Sequence, residues 1–284
     1  MRLTTLRLTD PTTGTPTTAA VVNQDGTVSP LLGYTDVAAF LAEPEATRAG
    51  ALHAASGITL PAPEPGAYAP VVTRPAKIFC IGLNYRSHIE ETGEKVPDYP
   101  TVFTKFALSL TGPFDSIEVP PEDHRLDYEG ELTVVIGSGG RRLRGEDAAA
   151  AIGGYTIGND VSMRGWQGRT SEWTQGKAWE ASTPVGPWVV TPDEFPDGAR
   201  LTTAVNGEVV QDAPTSDLVF TPVDLVEYLS AMITLEPGDL IMTGTTAGVA
   251  LGRRNEAGRH PWLKTGDVVE VTIEGLGSQR TEVR

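Results

Sequence analysis

Asp127-Tyr128-Glu129-Gly130-Glu131-Leu132-Thr133-Val134-Val135-Ile136-Gly137 sets an acid at every second position, then runs into an apolar, β-branched segment closed by glycine. The pattern predicts one strand. Side chains two apart on a strand leave the same face, so Glu129 and Glu131 can reach a single point while Gly130 leaves the opposite side bare. A solvated, charged strand face is the competing reading of this stretch taken alone. A third acid, Asp160, ends a second glycine-bounded strand pattern, Gly153-Gly154-Tyr155-Thr156-Ile157-Gly158-Asn159-Asp160. Three carboxylates with no Cys or His cluster beside them form an all-oxygen site, which suits Mg²⁺, with Mn²⁺ or Ca²⁺ as alternatives, and disfavours zinc. Three protein ligands leave roughly half of an octahedral shell for water and substrate, as catalysis by a divalent ion requires.

Composition narrows the class. The chain has 284 residues, 39% hydrophobic and 21% charged, ordinary for a soluble globular protein. A net charge of −15 argues against nucleic acid or an anionic membrane as partner. Local cations must therefore hold any anionic substrate. No apolar run approaches a membrane span, and Met1-Arg2-Leu3-Thr4-Thr5 lacks the core of a signal peptide, so the expected location is the cytoplasm. The single cysteine, Cys80, lies in the apolar run Ile78-Phe79-Cys80-Ile81 and reads as a buried structural thiol.

Residues 1–70 alternate short β-like runs with Thr, Pro and Gly, give a helical pattern over Tyr34 to Leu41, and close on Leu60-Pro61-Ala62-Pro63-Glu64-Pro65-Gly66. This predicts a small N-terminal domain, 1–70, ahead of a main domain, 71–284. In the main domain a buried strand ends at Gly82, and the following loop and short helix carry Tyr85, Arg86, His88 and Glu91. His88 and Glu91, three apart, are neighbours on a helical turn. A carboxylate beside an imidazole fixes its tautomer and raises its basicity, as a general base needs, although an exposed ion pair has the same spacing. Lys105, on the strand pattern from Tyr99, could face a pocket, although a strand lysine more often faces solvent. Beyond Asp160, Arg164, Gln167, Lys177 and several tryptophans crowd into a short span, where Arg164 and Lys177 are candidates to hold an anionic acid. Asn206-Gly207 marks a hairpin turn, Asp224 to Ile233 a helix, and Val268 to Ile273 a strand. Thr245, among the small residues after Met242, is a candidate hydroxyl donor, with a plain turn as the alternative.

These stretches together resemble the fumarylacetoacetate hydrolase superfamily, especially its shorter acylpyruvate hydrolase and hydroxyheptadienedioate isomerase members. The matching motifs are Gly82-Leu83-Asn84-Tyr85 with His88 and Glu91, Asp127-Tyr128-Glu129-Gly130-Glu131-Leu132, Asn159-Asp160-Val161-Ser162, Gly176-Lys177, Asn206-Gly207-Glu208, Thr215-Ser216-Asp217-Leu218, Leu235-Glu236-Pro237-Gly238-Asp239 and Thr243-Gly244-Thr245. They follow the family's order over residues from about 77 to 276. The resemblance implies a mainly β mixed sandwich roll with some α, a homodimer, and a divalent metal on Glu129, Glu131 and Asp160. It also implies a His88/Glu91 dyad that handles water or a proton, and a Lys177 that faces the substrate. Met163, Gly165, Trp179, Glu180 and Thr246 depart from the family's usual residues, so the pocket lining differs.

The activity expected is metal-dependent hydrolysis of a carbon–carbon bond in an acylpyruvate-like 1,3-diketo acid. His88, oriented by Glu91, would activate water. Lys177, Arg164, Gln167, Tyr85, Arg86 and Thr245 would contact a small anionic 2-oxo acid. Decarboxylation or dienol/keto isomerisation at the same metal–enolate site is the alternative, and a non-catalytic metal-dependent binding module is a third reading from another class.

Overall fold

A computed structural model of the protein describes residues 1–284. Nine strands make one mixed sheet in the order Val28–Leu31, Thr18–Val22, Arg2–Leu6, Val189–Val190, Ile152–Asn159, Gly130–Ile136, Leu240–Thr245, Ile78–Gly82 and Thr101–Lys105. Neighbours are antiparallel except Leu240–Thr245 with Ile78–Gly82. A second, antiparallel sheet of four strands runs Glu208–Pro214, Arg200–Val205, Val268–Ile273, Gly277–Glu282. The Asn206-Gly207 turn joins the first two of these, with φ of 52° and 83°, the left-handed pair that a tight hairpin requires.

Every residue of Gly130–Ile136 is buried, because both faces of this central strand are covered. On one face Leu132 packs with Leu201, Val269, Val271 and Ile273 of the second sheet, and further along the same face Val134 and Ile136 meet Leu225, Val226 and Leu229 of the Pro222–Met232 helix. On the other face Val135 shares a core with Val37, Phe40, Ile78 and Leu240. A strand enclosed in this way needs a continuous apolar run rather than an alternating one. The covering helix begins with a capping box between Thr221 and Asp224 and with Pro222 in its first turn, which satisfies its first free N–H groups.

The acid-rich stretch is not one strand. Leu126–Asp127 pairs with Ser162–Met163, and Gly130–Ile136 pairs with Ile152–Asn159, with a break over Tyr128 and Glu129. At the break the Glu129 N–H donates to the Asn159 side-chain oxygen at 2.9 Å, so a side chain takes the place of a ladder partner. Near the N-terminus, Arg2–Leu6 pairs with Val189–Val190, which carries the large sheet continuously from the first three strands into the rest. Val37, Phe40 and Leu41 of the Val37–Leu41 helix share a core with Ile78, Cys80 and Leu240.

Two elements gave no signal in the sequence. The Glu45–Ala55 helix buries only Ala55, so it has little apolar periodicity. The Gly277–Glu282 strand buries polar Gln279 and Thr281, and Gln279 donates to the carbonyls of Ile157, Pro184 and Gly186. No helix is long and apolar enough to cross a membrane.

The bare side of Gly130 is where the second sheet closes on the first. A Cβ there would lie 2.4 Å from Thr203 Oγ1 and 2.9 Å from Val271 Cγ1. Gly130→Ala is expected to lower stability by about 1–3 kcal/mol in urea denaturation. Gly50→Ala, mid-helix with nothing within 4 Å, should raise stability by up to about 1 kcal/mol. Equal effects from the two would remove the packing role given to Gly130.

Candidate active site

The antiparallel register that sets Gly130 opposite Asn159 continues one step beyond both strand ends, where the Asp160 N–H donates to Glu129 O at 2.9 Å. Glu129 and Asp160 are thus cross-strand neighbours, and Glu131 lies two residues along the same face. Oxygens of all three carboxylates lie within 4.8 Å of one another, and all three residues are buried.

Three cations enter this cluster. Arg164 donates to Asp127 Oδ2 at 2.8 Å and to Glu129 Oε1 at 2.6 Å. Lys177 bridges Glu129 Oε2 at 2.5 Å and Asp160 Oδ2 at 2.9 Å. Lys105 donates to Asp160 Oδ1 at 2.7 Å and to Val161 O at 3.2 Å. Lys105 was expected to face solvent but is only 2% exposed, because it shares a strand face with buried Phe103. Its place in the buried alternation of Thr101–Lys105 is the signal that sequence reasoning passed over.

Against Arg164, Lys105 and Lys177 stand Asp127, Glu129, Glu131 and Asp160, which leaves one negative charge in excess. The excess falls on Glu131. Burial opposes ionisation of Glu129, but the charges of Lys177 and Arg164 outweigh it and hold Glu129 down at about 2. Glu131 goes the other way: burial, then Asp160 and Glu129 beside it, push its carboxyl well above the usual range. It accepts one hydrogen bond, from Gly244 N–H at 2.9 Å, and makes no ion pair. Gly244 supplies that N–H from φ +102°, with Ile81 O only 2.8 Å from where a Cβ would stand. A buried carboxylate with so little compensation marks a place for positive charge. The hard, all-oxygen donor set fits Mg²⁺ or Mn²⁺, which Glu129, Glu131 and Asp160 would hold. Cys80, fully buried, has its thiol pushed up by burial and by Asp160, as a structural role requires.

Glu129 and Glu131 form one wall of a cavity of about 370 Å³ that is also lined by His88, Gln167, Lys177, Thr245, Phe103 and Trp173. His88 stands on the Arg86–Thr92 helix, with Nδ1 3.1 Å from Glu91 Oε2. Asp217 anchors that helix by accepting from Ser87 N–H and Oγ, at 3.1 and 2.7 Å. The other Glu91 oxygen accepts from Gly248 N–H at 3.0 Å. Only glycine fits at 248, since φ is +102° and a Cβ would fall 1.8 Å from Val210 O.

Other candidate contacts are placed differently from expectation. Tyr85 is fully buried in the hydrophobic core and Arg86 is exposed, so neither lines the cavity. Arg164 and Lys177 do line it, but their charges are engaged by carboxylates rather than free for substrate. Gln167 lines it too, accepting from Arg164 Nη1 at 2.8 Å and keeping its amide N–H groups available. The single proton of Thr245 goes to Gly130 O at 3.0 Å, and its oxygen accepts from Gln211. Gln211 also accepts from Gly130 N–H, so it ties the acid-bearing strand to Thr245; nothing in its local sequence marks that role.

The sequence model for the fumarylacetoacetate (FAA) hydrolase C-terminal family matches residues 77–284, and the chain belongs to this enzyme family. The chain is 42% identical over 209 residues to a protein of Rattus norvegicus named oxaloacetate tautomerase Fahd2a, mitochondrial; the match spans 72% of this chain and about two thirds (66%) of that relative. Among solved structures, fumarylacetoacetate hydrolase from Exiguobacterium antarcticum superposes with a TM-score of 0.83 at 30% identity, covering 100% of this chain and 99% of that one. Maleylpyruvate hydrolase from Sphingobium sp. SYK-6, in complex with manganese(II) and pyruvate, gives a TM-score of 0.77 at 26% identity, covering 100% and 98%.

Glu131→Ala should weaken Mn²⁺ binding, measured by isothermal titration, beyond the about 10–100-fold typical of losing an outer partner. Unchanged affinity would remove Glu131 from the ligand set. Lys105→Met leaves Asp160 Oδ1 buried without its cation and should cost about 3 kcal/mol or more in the metal-free protein. Saturating Mn²⁺ should restore part of that loss in the same denaturation experiment.

Proposed function

We propose that the protein is a metal-dependent keto–enol tautomerase of a small 2-oxo dicarboxylic acid of the oxaloacetate type. The observation that carries this reading is the meeting, in one cavity, of Glu129 and Glu131 from a buried acid triad short of positive charge with a histidine already oriented by a carboxylate. Identity of 42% to a relative named as an oxaloacetate tautomerase supports the choice of reaction. Magnesium is the resident ion in this proposal; when bound, it supplies positive charge against the enolate that develops at the 2-oxo end.

Keto–enol exchange breaks a C–H bond beside the oxo group and forms an O–H bond on the oxo oxygen, or the reverse. It asks for one carrier that takes and returns a proton. With Nδ1–H directed at Glu91, the His88 Nε2 carries the free lone pair and does this work. Glu91 stabilises the imidazolium formed in between, and Gly248 N–H keeps that carboxylate from turning away. Lys177 holds Glu129 and Asp160 together, and Gln167 offers amide N–H groups to the substrate's oxygens.

Hydrolytic cleavage of an acylpyruvate is the second reading. One observation favours it: a cavity of about 370 Å³ is roomy for a four-carbon acid. The same His88 would then take its proton from water.

With Mg²⁺, the wild type should accelerate loss of the enol absorbance of oxaloacetate. Loss of diketone absorbance from acetylpyruvate, without oxaloacetate turnover, would instead favour the hydrolase. His88→Ala should lower kcat/KM on the preferred substrate by about 10²–10⁴-fold, and metal affinity should be kept. Wild-type turnover in His88→Ala would end the assignment of the proton carrier.

A further inference from the structure

Beside the acid-lined cavity lies a second cleft of about 520 Å³, lined by Arg125, Arg164, Leu251, Arg259, His260 and Trp262. No acid lines it. Arg164 and Leu251 line both, so the two spaces adjoin. Arg164 has its charge engaged by Asp127 and Glu129, whereas Arg125 and Arg259 make no salt bridge. Arg254, outside the lining, donates to His260 Nδ1, and it too has no carboxylate partner. His260 is stacked on Trp262, with ring centroids 4.6 Å apart, which gives the cleft a flat aromatic floor.

This concentration of unpaired guanidinium groups stands in a chain with 37 acidic and 22 basic residues. Long-range charge repels a dianion from such a protein, so a productive approach needs a local region of opposite potential. The cleft meets that need at the one place where it borders the catalytic cavity. The two residues common to both spaces are held in place. Asp127, which holds Arg164, accepts from the N–H groups of Ala250 and Leu251 at 2.7 and 3.0 Å, tying the segment that leads to Arg254 and Arg259 to the acid cluster.

We propose that this cleft is an anion-binding vestibule, which captures the distal carboxylate of a dianionic substrate and feeds the dianion to the cavity beyond Arg164 and Leu251. The proposal rests on the reading of the substrate as a 2-oxo diacid. It assigns Arg125 and Arg259 a part in substrate selection rather than in chemistry. Their planar, permanently charged forks suit a carboxylate, and their exposure lets them act before the substrate is enclosed.

The test compares oxaloacetate with its 4-ethyl ester, which keeps the 2-oxo acid and the enolisable carbon but lacks the second charge. In Arg125→Gln/Arg259→Gln, the kcat/KM preference for the dianion over the ester should fall about tenfold at low ionic strength, with the loss in KM, and the difference from wild type should shrink as salt is added. An unaltered preference, or an equal loss on both substrates, would overturn the vestibule. A second measurement needs no turnover. Trp262 emission, isolated by subtraction with Trp262→Phe, should be quenched by iodide more strongly in wild type than in the double variant. Quenching by neutral acrylamide should be equal in the two, and succinate should protect against iodide in wild type. If the wild type turns over neither substrate, the tautomerase reading fails while iodide and succinate still decide whether the cleft takes small carboxylates. Iodide quenching that ignores the arginines would then refute it.

Discussion

Three carboxylates with oxygens inside 4.8 Å, all shut away from water, repel one another by about 3–4 kcal/mol per ionised pair at an effective dielectric near 20. Each is also penalised for leaving water. Much of the central architecture answers that constraint. Lys105 arrives from the edge strand Thr101–Lys105, Lys177 from the one-turn Thr174–Lys177 helix, and Arg164 from the segment after Asp160, so cations from three parts of the chain converge on one point. Glu131 has no cation of its own and accepts a single N–H, and that lack is what the site reserves for a divalent ion.

The acid triad was legible in the sequence because strand periodicity is local: Glu129 and Glu131 are two residues apart, and one further acid at the end of a neighbouring strand completes the set. The His88–Glu91 pair was legible for the same reason, being a helical i, i+3 spacing. Lys105 was hidden because its partner, Asp160, is 55 residues away, and only tertiary packing turns a strand lysine inward. Tyr85 and Arg86 show the converse. Proximity in sequence to His88 made them candidates, but one points into the core and the other into solvent.

At the level of the fold, apolar runs marked the covered strands well, and Gly82, Asn206-Gly207 and Gly244 punctuated them. The Gly277–Glu282 strand escaped because its inward residues are the polar Gln279 and Thr281, and Gln279 satisfies carbonyls, Ile157 O of the large sheet among them, rather than filling an apolar core. The split of the acid-rich stretch at Glu129 escaped because Asn159 supplies a side-chain acceptor where a ladder bond was assumed. Both are cases of side-chain polarity doing what backbone pairing or apolar packing does elsewhere, and hydrophobic periodicity does not register either.

The site thus divides into a part fixed by the sheets and a part that rests on fewer contacts. Glu131 lies on a strand buried from both sides, and Glu129 and Asp160 stand one residue beyond the paired strand ends, where a shift of even one methylene is resisted by close packing. His88 sits on a seven-residue helix held at its start by Asp217 and across its face by the Glu91–Gly248 hydrogen bond. Charge stabilisation at the 2-oxo end is common to tautomerisation, decarboxylation and hydrolysis, so a rigid acid triad serves all three equally. With His88 as the proposed proton carrier, what would separate the reactions is whether it meets a C–H bond or a water, a choice left to cavity-lining residues such as Trp173 and Leu251. The common chemistry is therefore written in the sheet, whereas the particular reaction is set by residues with few sequence-local constraints.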